Sequence, residues 1–274
     1  MSENQNRVLK LVMVGILFFS MFVVAREGAA YVQEIKATGV TNVREYFAER
    51  SLNERDGSTE NPEEQKKREQ KAETNRESED EKKLCVVIDA GHGGNDPGKV
   101  GINDALEKDI NLQIAHLLKK FLEMNDIEVV MTREADAGLY DESASNKKVQ
   151  DMKRRMEIIE KAEPVLVVSI HQNSYHEEYV KGAQVFYYST GEKSRQLAEI
   201  IQEQLRTLDT ENKRQAKGND SYYLLKKTVR PIVIVECGFL SNRSEAEMLI
   251  TPLYQERVAF QIHMGIMKYL NALY

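Results

Sequence analysis

The stretch LCVVIDAGHGG, residues 84–94, reads as a buried β-strand that runs straight into a tight loop. Its first half is apolar and β-branched with no alternation of polar positions, the pattern of a strand covered on both faces. Its second half is rich in glycine, which ends the strand and lets the backbone turn where a side chain would obstruct it. A strand of this kind belongs inside a sheet with helices above and below, so the segment points to an α/β architecture.

The residues that follow repeat the theme. Ile110, Ile114, Leu117, Leu118, Phe121 and Leu122 keep helical spacing, with Asp109, Gln113, His116 and Lys120 opposite, and IEVVMTR (residues 127–133) follows as a strand. Val149, Met152, Met156 and Ile159 form a second helical stripe ahead of a strand over 165–170. A strand over 183–188 precedes a helix holding Leu197, Ile200, Ile201, Leu205 and Leu208, and PIVIVECGFLSN (residues 231–242) supplies a strand over 232–236. Ser244 and Glu247 have the spacing of a capping box, and a last helix is expected from about 253 to 273. Helices alternating with strands predict an α/β fold: a mostly parallel central sheet, flanked by helices on both faces, in a single domain over 84–274.

Toward the N-terminus the character changes. Residues 57–83 (GSTENPEEQKKREQKAETNRESEDEKK) offer almost nothing apolar to bury, so 31–83 is expected to be a charged flexible linker. Residues 11–25 (LVMVGILFFSMFVVA) carry no charge and follow Arg7 and Lys10, so 1–30 is expected to be an export signal or membrane anchor. The run is short for a membrane span and long for a signal-peptide core, and small residues at Gly28 and Ala30 suit a cleavage site, so a cleaved signal and a retained anchor both fit. In either case the basic end stays in the cytoplasm and the rest is exported, to be anchored or secreted at the cell envelope.

Composition narrows the function. The formal net charge is −6 and no block of Lys and Arg is present, which argues against a nucleic-acid binder. Two cysteines exclude a disulfide scaffold. Cys85 opens the first strand and Cys237 adjoins Glu236 near the far end of another, so a strand length of roughly 20 Å is expected to separate them, beyond disulfide reach.

In such a fold ligands gather at the carboxyl ends of the parallel strands. Three apolar strands end here in His92, His171 and Glu236, and Glu107, at the start of the first helix, shares a side with Ile114 and Leu118 and so faces the sheet. Each has a plain structural role available: a loop or strand-end histidine, a carboxylate stabilised by the helix dipole, a buried ion-pair partner. Together they match the donor set of a zinc hydrolase, two imidazoles and a carboxylate, with a spare carboxylate as proton carrier. Glu236 is the spare, since an unpaired carboxylate at the end of an apolar strand is costly to keep there. Asn173 is expected on the strand face of His171, within reach of substrate or of a ligand. Tyr222 and Tyr223 fit a sugar platform or plain packing in a short strand. His116, His176 and His263 read as a polar-face, a loop and a terminal-helix histidine.

At this point the chain resembles the zinc-dependent N-acetylmuramoyl-L-alanine amidase family over residues 84 to about 269. The resemblance rests on IDAGHGGNDPG (88–98), LEKDINL (106–112), SIHQNS (169–174), KGAQVFYY (181–188) and VECGFLSN (235–242), in family order. It implies one zinc ion per chain held by His92, Glu107 and His171, a catalytic Glu236, and peptidoglycan as substrate. Within the family, the membrane-proximal signal, the single compact domain and the lack of wall-binding repeats resemble the germination-specific amidases of spore-forming bacteria. Those enzymes act on spore cortex at the forespore envelope, toward muramic-δ-lactam formation and germination. Ser174 departs from the alanine that many relatives carry after the His-x-Asn triplet, with little consequence expected. Because an uncontrolled wall hydrolase endangers its own cell, an activator or regulatory protein is an expected partner. Two other readings are an inactive peptidoglycan-binding regulator, which would lack a ligand or the base, and a peptidoglycan N-deacetylase, which would release acetate and leave peptides attached.

Overall fold

The computed structural model describes residues 83–273. The expected N-terminal signal and nearly all of the expected linker lie outside the described residues. Among the described residues no helix is long and apolar enough to cross a membrane.

Six strands form one sheet: β1 (Cys85–Ala90), β2 (Glu128–Met131), β3 (Leu166–Asn173), β4 (Gln184–Tyr187), β5 (Lys217–Gly218) and β6 (Ile232–Phe239), in the spatial order β2-β1-β3-β6-β4-β5. β2, β1, β3 and β6 run parallel, β4 is antiparallel to β6, and β5 is parallel to β4. The helices are α1 (Glu107–Glu123), α2 (Lys147–Ala162), α3 (Glu192–Leu205), α4 (Tyr223–Lys227), α5 (Arg243–Leu249) and α6 (Pro252–Asn271).

The pleat sends successive side chains to opposite faces, and both faces are covered. Val86, Ile88 and Ala90 of β1 join the larger core with Ile114 and Leu118 of α1, Leu197 and Ile201 of α3, Leu249 of α5, and Ile262 and Ile266 of α6. Val87 of the same strand joins a smaller core with Met156 and Ile159 of α2 and Leu224 and Leu225 of α4. The mostly parallel sheet with helices on both faces is therefore as the periodicity predicts.

Departures from the expected boundaries have local causes. β3 continues past Ile170 through His171 to Asn173, because β6 is long enough to pair with it, across a bulge between His171 and Asn173. Leu208 lies beyond the end of α3 yet still packs on the core. The capping box expected from Ser244 and Glu247 does not form. Asn242 caps α5 instead, its Oδ1 accepting from Glu245 N at 3.0 Å, so Ser244 lies inside the first turn. Glu245, at the third helical position, turns inward to accept from Phe239 N at 2.7 Å and Gly182 N at 2.9 Å. Tyr222 and Tyr223 are not in a strand: the first is the N-cap residue of α4 and the second opens the helix. Cys85 and Cys237 sit at opposite ends of β1 and β6, with β3 between.

Candidate metal centre

His92 enters the site from the glycine loop after β1, with its backbone in the left-handed region at φ 64°. Its Nδ1 meets Asp96 Oδ2 at 2.9 Å, which turns Nε2 toward Glu107 Oε1 at 3.2 Å. His171, on β3, brings Nδ1 to within 3.0 Å of the same Glu107 oxygen. The two imidazole rings lie 5.1 Å apart and almost perpendicular, at 80°. Two glycines make this approach possible. A Cβ on Gly91 would lie 2.2 Å from Cε1 of the His171 ring, and one on Gly98 would lie 2.5 Å from Glu107 Oε2 and 2.7 Å from His92 Cδ2.

Glu107 is the first residue of α1, where the helix dipole favours a negative charge, and it is almost fully buried. Lys99 N donates to its Oε2 at 2.7 Å, and Gln172 N donates to Oε1 at 3.0 Å. Burial alone would raise its pKa, but hydrogen bonds and charge from His171 and His92 hold the carboxyl far below the usual carboxylate range. Burial likewise works against a charged His92, and the Glu107 and Asp96 carboxylates overcome it, raising the imidazole above its ordinary value.

Glu236 lies directly across the β3–β6 pair from His171 and is 6% exposed. Its Oε1 accepts from the Tyr222 hydroxyl at 3.3 Å, while Oε2 is buried and has no partner among the described residues. Burial pushes the Glu236 carboxyl up, as does the Glu107 charge, against the pull of His171 and Tyr222. Burial and the Glu236 charge together push the Tyr222 phenol above its ordinary range, so it stays a donor at neutral pH.

One cavity of about 720 Å³ takes in all of these groups, with Asn173, Tyr140, Lys148, Tyr222 and Tyr223 also on its walls. The register shift beside His171 takes up its extra residue on β6, so β3 keeps its alternation and Asn173 lines the cavity with His171, its Oδ1 accepting from Ser174 N at 2.8 Å. His116 and His176 are exposed, and His263 is packed in α6 with Nε2 3.1 Å from Asn125 Nδ2 and its ring beside Phe121 and Phe260.

Ligand-type atoms of His92, Glu107 and His171 all lie within 4.8 Å of one another. Two imidazoles and a carboxylate, convergent and partly or fully buried in a cradle kept clear by two glycines, suit a zinc-type cation well. Residues that the sequence pattern did not single out complete the surroundings. Asp96 orients His92, and Arg133 and Arg155 bond the carbonyls of the glycine loop from beneath. Arg155 carried a signal, since it falls three residues after Met152 and so on the apolar side of α2.

An α/β domain with such a donor set at the carboxyl edge of its sheet, beside a buried carboxylate with an unpartnered oxygen, has the makings of a metal-assisted hydrolase. The chain belongs to the N-acetylmuramoyl-L-alanine amidase family, whose model matches residues 86–268. It is 38% identical over 187 residues to the germination-specific N-acetylmuramoyl-L-alanine amidase of Bacillus subtilis (strain 168), covering 67% of this chain and 78% of that one. Among solved structures, it is similar to the CwlD amidase from Clostridioides difficile, solved in complex with the GerS lipoprotein. The identity is 40% and the TM-score 0.67, over 69% of this chain and 99% of that one. It is also similar to the catalytic domain of CwlV, an N-acetylmuramoyl-L-alanine amidase from Bacillus (Paenibacillus) polymyxa var. colistinus, at 31% identity and TM-score 0.61, over 69% and 98% of the two chains. The activity is thus hydrolysis of the amide between N-acetylmuramic acid and the L-alanine of the peptidoglycan stem peptide. His92, Glu107, His171 and Glu236, on which it is expected to depend, all line one cavity.

Proposed function

We propose that the chain is a zinc-dependent amidase in which His92, Glu107 and His171 hold one zinc ion and Glu236 carries the proton. The observation that bears most weight is Glu236 Oε2: a buried carboxylate oxygen without a partner, across one strand pair from His171. When bound, the ion supplies a Lewis acid that polarises the scissile carbonyl and makes water a better nucleophile at neutral pH. Glu236 Oε2 takes the proton released by the attacking water and delivers it to the departing L-alanine nitrogen, acting first as base and then as acid. Burial favours the second half of this cycle by stabilising the protonated carboxyl. Tyr222 holds Oε1 and so leaves Oε2 as the oxygen that works. Asp96 keeps His92 Nε2, rather than Nδ1, turned to the ion's side. Asn173, on the cavity wall, offers its amide NH₂ to the substrate, its oxygen being engaged with Ser174.

The substrate proposed is spore-cortex peptidoglycan, on the strength of the similarity to the germination-specific amidase of Bacillus subtilis. Export, with residues 1–30 as a signal or membrane anchor, places the activity at the envelope, including that of the forespore. A regulatory partner is proposed by similarity to the amidase solved with a lipoprotein. The test is zinc content and stem-peptide release from purified peptidoglycan for the wild-type chain, His171→Ala and Glu236→Gln. Wild type is expected to hold one zinc and release free peptides, His171→Ala to lose both, and Glu236→Gln to keep zinc but release none. Full activity in Glu236→Gln would refute the role given to that residue.

A further inference from the structure

Beneath the cavity lie two guanidinium groups that the reaction itself does not use. Arg155 is 2% exposed and Arg133 4% exposed, a costly place for a cation that has no purpose there. Their hydrogen bonds converge on the loop that carries His92. Arg133 Nε donates to Ala90 O at 2.9 Å, and its Nη2 donates to Gly91 O at 3.0 Å. Arg155 Nη1 donates to Ala90 O at 2.8 Å, and its Nη2 donates to His92 O at 2.6 Å. Three consecutive carbonyls are thus taken up by two forks, in the segment where His92 adopts a backbone conformation that few non-glycine residues hold. The same Nη2 of Arg133 also donates to Lys108 O at 2.7 Å, in the first turn of α1, one residue past Glu107. Asp89 and Asp151 in turn fix Arg155, at 2.7 and 2.6 Å.

We infer that Arg133 and Arg155 are positioning residues that preset His92 against Glu107 before any metal binds, with Arg133 tying the two ligand-bearing segments to each other. The inference rests on the assignment of His92, Glu107 and His171 as the zinc ligands. A lysine cannot replace either group, because one ammonium on a flexible stem cannot reach several carbonyls in fixed directions at once. Groups that hold metal ligands in place typically govern affinity by 10- to 100-fold, which sets the expected scale.

The experiment is zinc affinity of the full-length chain in detergent, measured by competition with a chromophoric chelator well below the melting temperature of the metal-free form. Arg133→Lys is expected to weaken zinc binding by about 10- to 100-fold. A role confined to fold stability would lower the melting temperature of the metal-free chain and leave the affinity of the folded chain unchanged; that result overturns the inference. Should Arg133→Lys not fold, Asp151→Asn loosens Arg155 from the edge of the cavity, and an affinity within twofold of wild type overturns it there. A wild-type chain that takes up no zinc overturns both the ligand assignment and this inference, whereas unchanged affinity in the variants overturns the inference alone.

Discussion

Replacing Asp89 by asparagine should destabilise the chain by an amount that depends on pH in a calculable way. Asp89 is fully buried below the site, where its Oδ1 accepts from Arg155 Nη1 at 2.7 Å and from Thr132 Oγ1 at 2.8 Å, and its Oδ2 accepts from Ser169 Oγ. Burial would raise its pKa, but Arg155 and Ser169 reverse this and hold it at about 2, down from 3.8. A folded-state pKa below the unfolded one stabilises the fold above the unfolded value, and that stability is lost as pH falls through the folded value. The drop corresponds to about 2.5 kcal/mol at neutral pH. The same linkage leaves roughly 1.3 kcal/mol at pH 3 and roughly 0.4 kcal/mol at pH 2. Asparagine resembles the protonated carboxyl, so wild type and Asp89→Asn should differ by about 2.5 kcal/mol at pH 7 and converge on acidification. Urea unfolding of both proteins at pH 7, 4 and 3 measures this. Glu107 also loses stabilising charge in acid, but it does so in both proteins and cancels in the difference. A difference that stays constant from pH 7 to pH 3 would show that the charge on Asp89 is not what secures Arg155, and would refute the reasoning.

Two further outcomes follow from the geometry. Gly91→Ala drives a methyl group into the His171 imidazole, with 2.2 Å to Cε1 and 2.4 Å to Nε2, so the ring must leave its place. The variant should lose peptide release and most zinc binding while costing only about 1–3 kcal/mol of stability, the range for overpacking, and normal zinc content by atomic absorption would contradict it. Tyr222→Phe removes the donor to Glu236 Oε1 and keeps the ring that packs edge-on against Phe186. One hydrogen bond of about 0.5–1.5 kcal/mol predicts a fall in kcat of roughly 2- to 12-fold with KM and zinc content unchanged; a change in KM alone would assign Tyr222 to substrate binding instead.

The parts of the fold that carry the candidate metal ligands were the most legible in the sequence. β1 declared itself because a strand buried on both faces has apolar residues in succession, here Val86 to Ile88 ahead of the buried Asp89, and the glycines after it marked a turn with no room for side chains. Glu107 could be placed because helical spacing assigned it to the sheet-facing side. The direction of β4 was not legible: four residues paired with β6 carry no mark that distinguishes an antiparallel neighbour from a parallel one. The first turn of α5 was misjudged because two acceptable capping pairs overlap there, and the choice fell to Glu245, whose carboxylate is claimed by Phe239 and Gly182 from outside the helix. Asp96 lies only four residues after His92, but in a loop without a period to place its side chain; the arginine pair acts on residues 42 and 63 positions away, and a chain read in windows does not display such contacts. Tyr222 reads from the sequence as part of a sugar platform or as packing in a short strand, whereas its bond to Glu236 depends on where a five-residue helix begins.

The position of β6 has a consequence for how the activity comes into being. It is the last strand along the chain but lies inside the sheet, and among the described strands β4 and β5 reach the rest of the sheet only through it. A chain still emerging in sequence order can therefore assemble β1, β2 and β3, with all three metal-ligand candidates, before Glu236 exists in any structured form. On the role proposed for Glu236, insertion of one late strand would supply the proton carrier and close the sheet in the same event. A chain that stops short of β6 would then be expected to release no stem peptides, and lytic capacity would arrive with completion of the sheet.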